Sequence, residues 1–164
     1  MRNTAITFLE TPIGVLKIVG DEEAIKLVTF TDEDQRSTDG KVPNVVRTAK
    51  FQLKEYFEGK RKVFDLQLSP EGTEFQRQVW EGLLEIPFGK TSTYAKQTVK
   101  LGDQKKLRAV GAANGRNPIA IIIPCHRILG SDGSLTGYAG GIERKQWLLK
   151  HECSIPGFNQ LKLF

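Results

Sequence analysis

The residues best suited to chemistry are Cys125 and His126, adjacent within Ile119-Ala120-Ile121-Ile122-Ile123-Pro124-Cys125-His126-Arg127-Ile128. An apolar run this short reads as a buried strand, stopped by Pro124 just ahead of the cysteine. The thiolate is the nucleophilic form of cysteine, and a proton acceptor close by raises its population at neutral pH. A free cysteine is more often a small buried hydrophobe, so Cys125 carries little weight alone, and Cys153 reads as a structural residue of that kind. Two cysteines and two histidines form no disulfide framework and show no zinc spacing. The expectation is therefore a protein without metal or cofactor, in the reducing cytoplasm.

Just upstream lies Arg108-Ala109-Val110-Gly111-Ala112-Ala113-Asn114-Gly115, inside a helix expected from Gln104 to about Ala113. A glycine within a helix costs about 1 kcal/mol relative to alanine, so stability alone does not account for this composition. Small side chains let a helix approach another surface closely. That surface is either a neighbouring helix of the core or a nucleic acid, with Arg108 projecting from the same helix.

Several elements must position these groups. Thr73-Glu74-Phe75-Gln76 has the form of a capping box, and Phe75, Val79, Leu83 and Leu84 then give one apolar helix face, ended at Pro87-Phe88-Gly89. Thr93 can cap a short helix through Val99, and a last helix is marked by Ile142, Gln146, Trp147 and Leu149. Three short helices in succession resemble a helix-turn-helix arrangement. Ahead of them, Ser69-Pro70-Glu71-Gly72 reads as a linker. Alternation in 5–9, 14–19 and 25–30 predicts an antiparallel meander with turns at Thr11-Pro12 and Asp21-Glu22. An acidic loop over 31–40, a helix over 44–58 stopped by Gly59, and a further strand over Val63–Leu68 complete this part. The fold class is α+β: a small N-terminal antiparallel sheet with a helix over 1–69, then a helical, winged helix-turn-helix-like domain over 70–164.

Charge divides unevenly between these parts. Residues 1–71 carry 11 Lys and Arg against 12 Asp and Glu, whereas residues 72–164 carry 13 against 7. The positive surplus lies in the second part, either as a solvated basic surface or as a face for a polyanion. No stretch approaches the roughly 20 apolar residues of a membrane span, and the first residues lack the pattern of a secretory signal.

Ile123-Pro124-Cys125-His126-Arg127 resembles the signature of the O6-alkylguanine-DNA alkyltransferases, the methylated-DNA–protein-cysteine methyltransferases. Arg108-Ala109-Val110-Gly111, Asn117-Pro118, Gly137-Tyr138-Ala139-Gly140-Gly141 and 145–152 also fall where that family has them. The close likeness covers about residues 72–153, in the manner of a stand-alone bacterial-type member. Residues 1–71 match in general layout only.

The resemblance implies a role for each matching residue. Cys125 would accept the alkyl group, with His126 as general base through a water and Glu152 orienting it. Tyr138 would donate its hydroxyl to the guanine ring, and Lys145 would support that tyrosine. Arg108 would fill the gap left by the flipped nucleotide, and Tyr94 would help turn the phosphate. Ala109, Gly111 and Ala112 would let the helix enter the minor groove, and Asn117 would tie that helix to the active-site segment. Ala120, Ala139 and Gly140 would line the substrate pocket, leaving room for adducts larger than methyl. Arg127 would be structural. The implied activity is irreversible, stoichiometric transfer from O6-alkylguanine, and from O4-alkylthymine, to Cys125. Its partner would be double-stranded DNA carrying alkylated bases, bound by a monomer without a membrane. A damage-binding module of the alkyltransferase-like kind would have its cysteine replaced, which Cys125 argues against. A cysteine hydrolase would need a turn that makes Cys125 and His126 face each other.

Overall fold

The computed structural model describes residues 4–33, 35 and 41–152. Cys153 lies outside them. The chain divides into two units, Met1–Glu71 with Pro118–Ala120, and Gly72–Asn117 with Ile121–Phe164. The boundary at Glu71 and Gly72 falls inside the linker stretch, and the second region lends three residues to the first unit.

In the first unit, β1 (Ala5–Thr11), β2 (Gly14–Gly20) and β3 (Ile25–Thr31) form an antiparallel sheet in the order β1-β2-β3. The register runs Ala5 opposite Gly20 to Thr11 opposite Gly14, so the first hairpin turns on Pro12 and Ile13. At the second turn Asp21 Oδ1 accepts from the backbone N–H groups of Glu23 and Ala24, at 2.8 and 3.0 Å. An aspartate can in this way replace the backbone partners that a turn leaves unmade. Helix α1 (Asn44–Phe57) buries Val46, Ala49, Leu53 and Tyr56, packing against the sheet and its core residues Leu16, Ile18, Ile25 and Val28. Burying each of the Val, Leu and Ile side chains contributes roughly 1.5–3 kcal/mol.

Two expected strands are absent. Over Val63–Leu68 only Leu68 bridges Ile25, because the side chain of Gln52 occupies both backbone groups of Asp65. The apolar run from Ile119 is buried as expected, but it makes one bridge, Ile119 to Val28, and then turns. Ile121 there has φ 72°, a left-handed conformation that is costly for a β-branched residue. A run of apolar residues specifies burial, and it does not by itself distinguish a strand from a buried turn.

The second unit begins with the capping box as read. Thr73 accepts from the N–H of Gln76 at 3.1 Å, and Gln76 accepts from the N–H of Thr73 at 2.9 Å, opening α2 (Glu74–Leu83). Gly72 is required just before it, since a Cβ there would lie 2.5 Å from the ring of Trp80. Strand β4 (Ser92–Thr93) leads into α3 (Tyr94–Lys100), whose cap Thr93 accepts from the N–H of Lys96. A 3-10 turn at Gln104–Lys106 precedes α4 (Leu107–Gly115), so the expected third helix is two elements. A second 3-10 turn, Cys125–Arg127, runs into β5 (Ile128–Leu129), which pairs parallel with β4. Helix α5 (Ile142–His151) starts at Gly141, whose φ of 95° suits only glycine. The core holds Val79, Trp80, Leu83, Val110, Leu129, Leu148 and Leu149. Among the described residues no helix is long and apolar enough to cross a membrane.

Candidate active site

Pairing of Ser92 with Ile128 and of Thr93 with Leu129 fixes the start of α3 beside the turn that carries Cys125. That turn closes on itself, with Cys125 N–H donating to Ile123 at 2.8 Å and Arg127 N–H to Pro124 at 3.0 Å. Cys125 is buried. Asn117 holds it from α4's side: its Nδ2 donates to the Ile123 carbonyl at 2.7 Å and to Cys125 Sγ at 3.2 Å.

His126 points into the protein and is fully buried. Its Nε2 lies 2.7 Å from Glu152 Oε2 at the end of α5. The same carboxylate accepts from Arg127 Nε at 2.8 Å and Nη2 at 3.1 Å, while Arg127 Nη1 donates to the Ile86 carbonyl at 2.6 Å. Burial opposes ionisation of Glu152, but His126 and Arg127 together outweigh it and hold the carboxyl well below the usual range. An ionised carboxylate only accepts, so Nε2 carries the imidazole proton and Nδ1 presents its lone pair. Nδ1 is buried and has no hydrogen-bond partner among the described residues. Burial pushes the His126 pKa down against the pull of Glu152, so the ring is neutral at pH 7.

The thiol of Cys125 is pushed up by burial, against the Asn117 hydrogen bond and the charge of Lys145. It therefore rests as a thiol, which would need a base in order to act as a nucleophile. Lys145 is buried and donates to the carbonyls of Thr136 and Gly137 at 2.8 and 3.4 Å. Burial brings it down to about 8, which leaves it mostly charged at neutral pH. Tyr94 stands over it, with Lys145 Nζ 6.0 Å from the ring centroid, and its hydroxyl donates to the Thr136 carbonyl at 3.3 Å. Lys145 and Tyr94 thus brace the same stretch, the one that leads to Tyr138. The Tyr138 hydroxyl is buried without a partner among the described residues, and burial together with the Cys125 charge raises its pKa far above 10. Ala139 is exposed, and Gly140 accepts from Arg144 Nη1 at 3.2 Å.

Cys125, His126, Glu152, Lys145, Tyr138, Tyr94 and Asn117 therefore converge within the second unit. Arg108, Ala109 and Ala112 lie on the exposed face of α4, Gly111 is half-buried, and Val110, Ala113 and Asn114 face inward. A Cβ on Gly111 would meet nothing within 4 Å, so no packing inside the protein demands the glycine. Ala120 belongs to the first unit, where its N–H donates to Val28.

Nothing in the order of residues signals how strongly Arg127 is tied to Glu152, because a buried arginine is indistinguishable from an exposed one until its partners are placed. The same holds for two residues behind α4. Trp80 Nε1 donates to the Ala113 carbonyl at 2.8 Å, and Gln97 pairs with Asn114.

Two family matches cover most of the chain. Residues 5–70 match the ribonuclease-like domain of 6-O-methylguanine DNA methyltransferase, and residues 74–154 match its DNA-binding domain. A methylated-DNA–protein-cysteine methyltransferase of Methanosarcina acetivorans is 50% identical over 149 residues, covering 88% of this chain and 96% of that one. Among solved structures, Mycobacterium tuberculosis O6-methylguanine methyltransferase superposes with a TM-score of 0.82 at 39% identity, covering 94% and 96%. The Mycobacterium tuberculosis OGT in complex with DNA gives 0.81 at 41% identity, covering 95% and 98%. The chain belongs to the 6-O-methylguanine DNA methyltransferase family.

Proposed function

We propose that this protein repairs double-stranded DNA by moving the alkyl group of O6-alkylguanine, and of O4-alkylthymine, to the sulfur of Cys125. The observation that carries the reading is the His126 ring, bonded to Glu152 at 2.7 Å through Nε2 and bare at Nδ1. The Cys125 proton passes to Nδ1 through an intervening water, since Nδ1 has no direct partner among the described residues. The sulfur attacks the alkyl carbon as the carbon–O6 bond breaks. The electron pair of that bond stays on the guanine, whose ring takes a hydrogen bond from Tyr138. Lys145, charged below about pH 8, favours the anionic sulfur. The product is a thioether, whose carbon–sulfur bond is inert to the nucleophiles a protein carries, so each molecule acts once.

On the DNA side, the exposed Ala109 and Ala112 and the half-buried Gly111 let α4 lie close in the minor groove. Arg108 fills the place of the flipped base, and Tyr94 turns the phosphate. Asn117 couples α4 to the nucleophile, and the small residues Ala139 and Gly140 leave space for larger adducts. The protein works as a monomer in the cytoplasm. Intact-protein mass spectrometry after incubation with a duplex holding one O6-methylguanine tests the reading. One methyl group per chain, mapped to Cys125, is expected. Cys125→Ser is expected to transfer nothing while binding unmodified duplex within about threefold of wild type. Repeated turnover, or methylation elsewhere, would overturn it.

A further inference from the structure

The side chains of Gln97 on α3 and Asn114 on α4 meet as two reciprocal amides. Gln97 Nε2 donates to Asn114 Oδ1 at 3.1 Å, and Asn114 Nδ2 donates to Gln97 Oε1 at 2.7 Å. Both residues are buried, at 6% and 5% exposure. Two apolar side chains would fill this place without desolvating two amides. An amide pair differs from apolar packing in being directional: it fixes both the rotation of α4 about its axis and its position along α3.

Its neighbours extend the constraint in both directions. One residue earlier, the Ala113 carbonyl takes the Trp80 indole bond from α2. In the other direction, the Asn114 carbonyl accepts from the N–H of Asn117 at 3.3 Å, and the Asn117 side chain reaches Cys125 Sγ at 3.2 Å. A hydrogen-bonded path therefore runs from α3, through the end of α4, to the nucleophile. Arg108 stands six residues before Asn114, about 9 Å along the helix, so a tilt of about 10° at Asn114 would move it by roughly 1.5 Å. Displacements of that size at a positioning element cost on the order of 100-fold in rate.

We propose that the Gln97–Asn114 amide pair is a positioning element, which sets the pose of α4 on duplex DNA relative to Cys125. The inference rests on the proposed function and adds two residues that do not touch the substrate. The test compares single-turnover transfer from an O6-methylguanine duplex with transfer from the free O6-methylguanine base, in wild type and in Gln97→Leu/Asn114→Leu. The double variant is expected to slow at least tenfold on the duplex and less than threefold on the free base, which needs no helix in a groove. Equal slowing on both substrates, or duplex repair at the wild-type rate, would overturn the proposal. Should the double variant fail to fold, Gln97→Glu keeps the acceptor and removes the donor. It is expected to show the same split at threefold or more, and a folded Gln97→Glu protein without the split would overturn the proposal equally. Wild-type protein that methylates on neither substrate would instead defeat the functional reading itself.

Discussion

Two buried glutamines show how differently the two units use polar side chains. In the first unit, Gln52 gives its amide to the backbone of Asp65, accepting from its N–H at 3.0 Å and donating to its carbonyl at 3.3 Å. In the second, Gln97 gives its amide to another side chain. The contrast extends to the charged groups. The buried Asp21 of the first unit caps a turn, and its carboxyl is held low by the backbone N–H groups of Glu23 and Ala24. The second unit buries His126, Arg127, Lys145 and Glu152 together. Buried ion clusters are poor investments in stability, since apolar residues of the same volume serve as well or better. Such clusters, with several displaced pKa values, are characteristic of sites that do chemistry. In the first unit, polar burial completes the backbone. In the second, it gathers ionisable groups beside a buried cysteine.

The largest effect expected on this comparison is at Glu152. Glu152→Gln leaves Arg127 buried without its counter-charge and His126 without its orienter. Unfolding free energy should fall by about 3–5 kcal/mol in urea titrations, and transfer should slow at least 100-fold. The pH dependence has a definite sign. Because the folded carboxyl titrates below its ordinary 4.5, its stabilisation is full above that pH and is lost progressively as pH falls beneath it. The variant should lack this acid-side loss. If it kept both the wild-type acid profile and the wild-type rate, the cluster would not be the centre of the site.

Leu53→Ala strikes the apolar core of the first unit, where the leucine is fully buried on α1. A loss of about 2–5 kcal/mol is expected. Transfer from the free base, measured below the lowered melting temperature, should be unchanged. A slowed chemical step would mean that the division of labour between the units is wrong.

Lys145 sharpens the comparison on the alkaline side. Burial lowers it from 10.5 to about 8, so its cost to folding is full below pH 8 and is relieved between there and 10.5. Wild type should therefore gain stability relative to Lys145→Met as pH rises through that window. A stability difference that stays flat across it would remove the buried charge from the account.

The smallest effect is at the entry to the second unit. Thr73→Ala removes the cap that accepts from Gln76 and should cost about 1 kcal/mol in thermal unfolding, with no change in transfer rate. Loss of activity without loss of stability would show that α2 does more than support.

Local rules were enough to read much of this molecule. The three strands, the α1 span, the Thr73–Gln76 capping box and the Thr93 cap each depend on residues within a few positions of one another, and all appear as read. The candidate nucleophile was legible for a similar reason: Pro124, Cys125 and His126 are neighbours, and the family signature is contiguous. What the sequence could not show is decided by partners far along the chain. Val63–Leu68 lost its strand to Gln52, and the run from Ile119 to Ile123 turned instead of extending. His126 reaches Glu152 across 26 positions, Arg127 reaches Ile86 across 41, and Gln97 reaches Asn114 across 17. Residue type says that a histidine can titrate or an amide can pair. Which proton it holds, and what it holds in place, follows only when the packed chain brings those partners within hydrogen-bond distance and shuts out the water that would otherwise replace them.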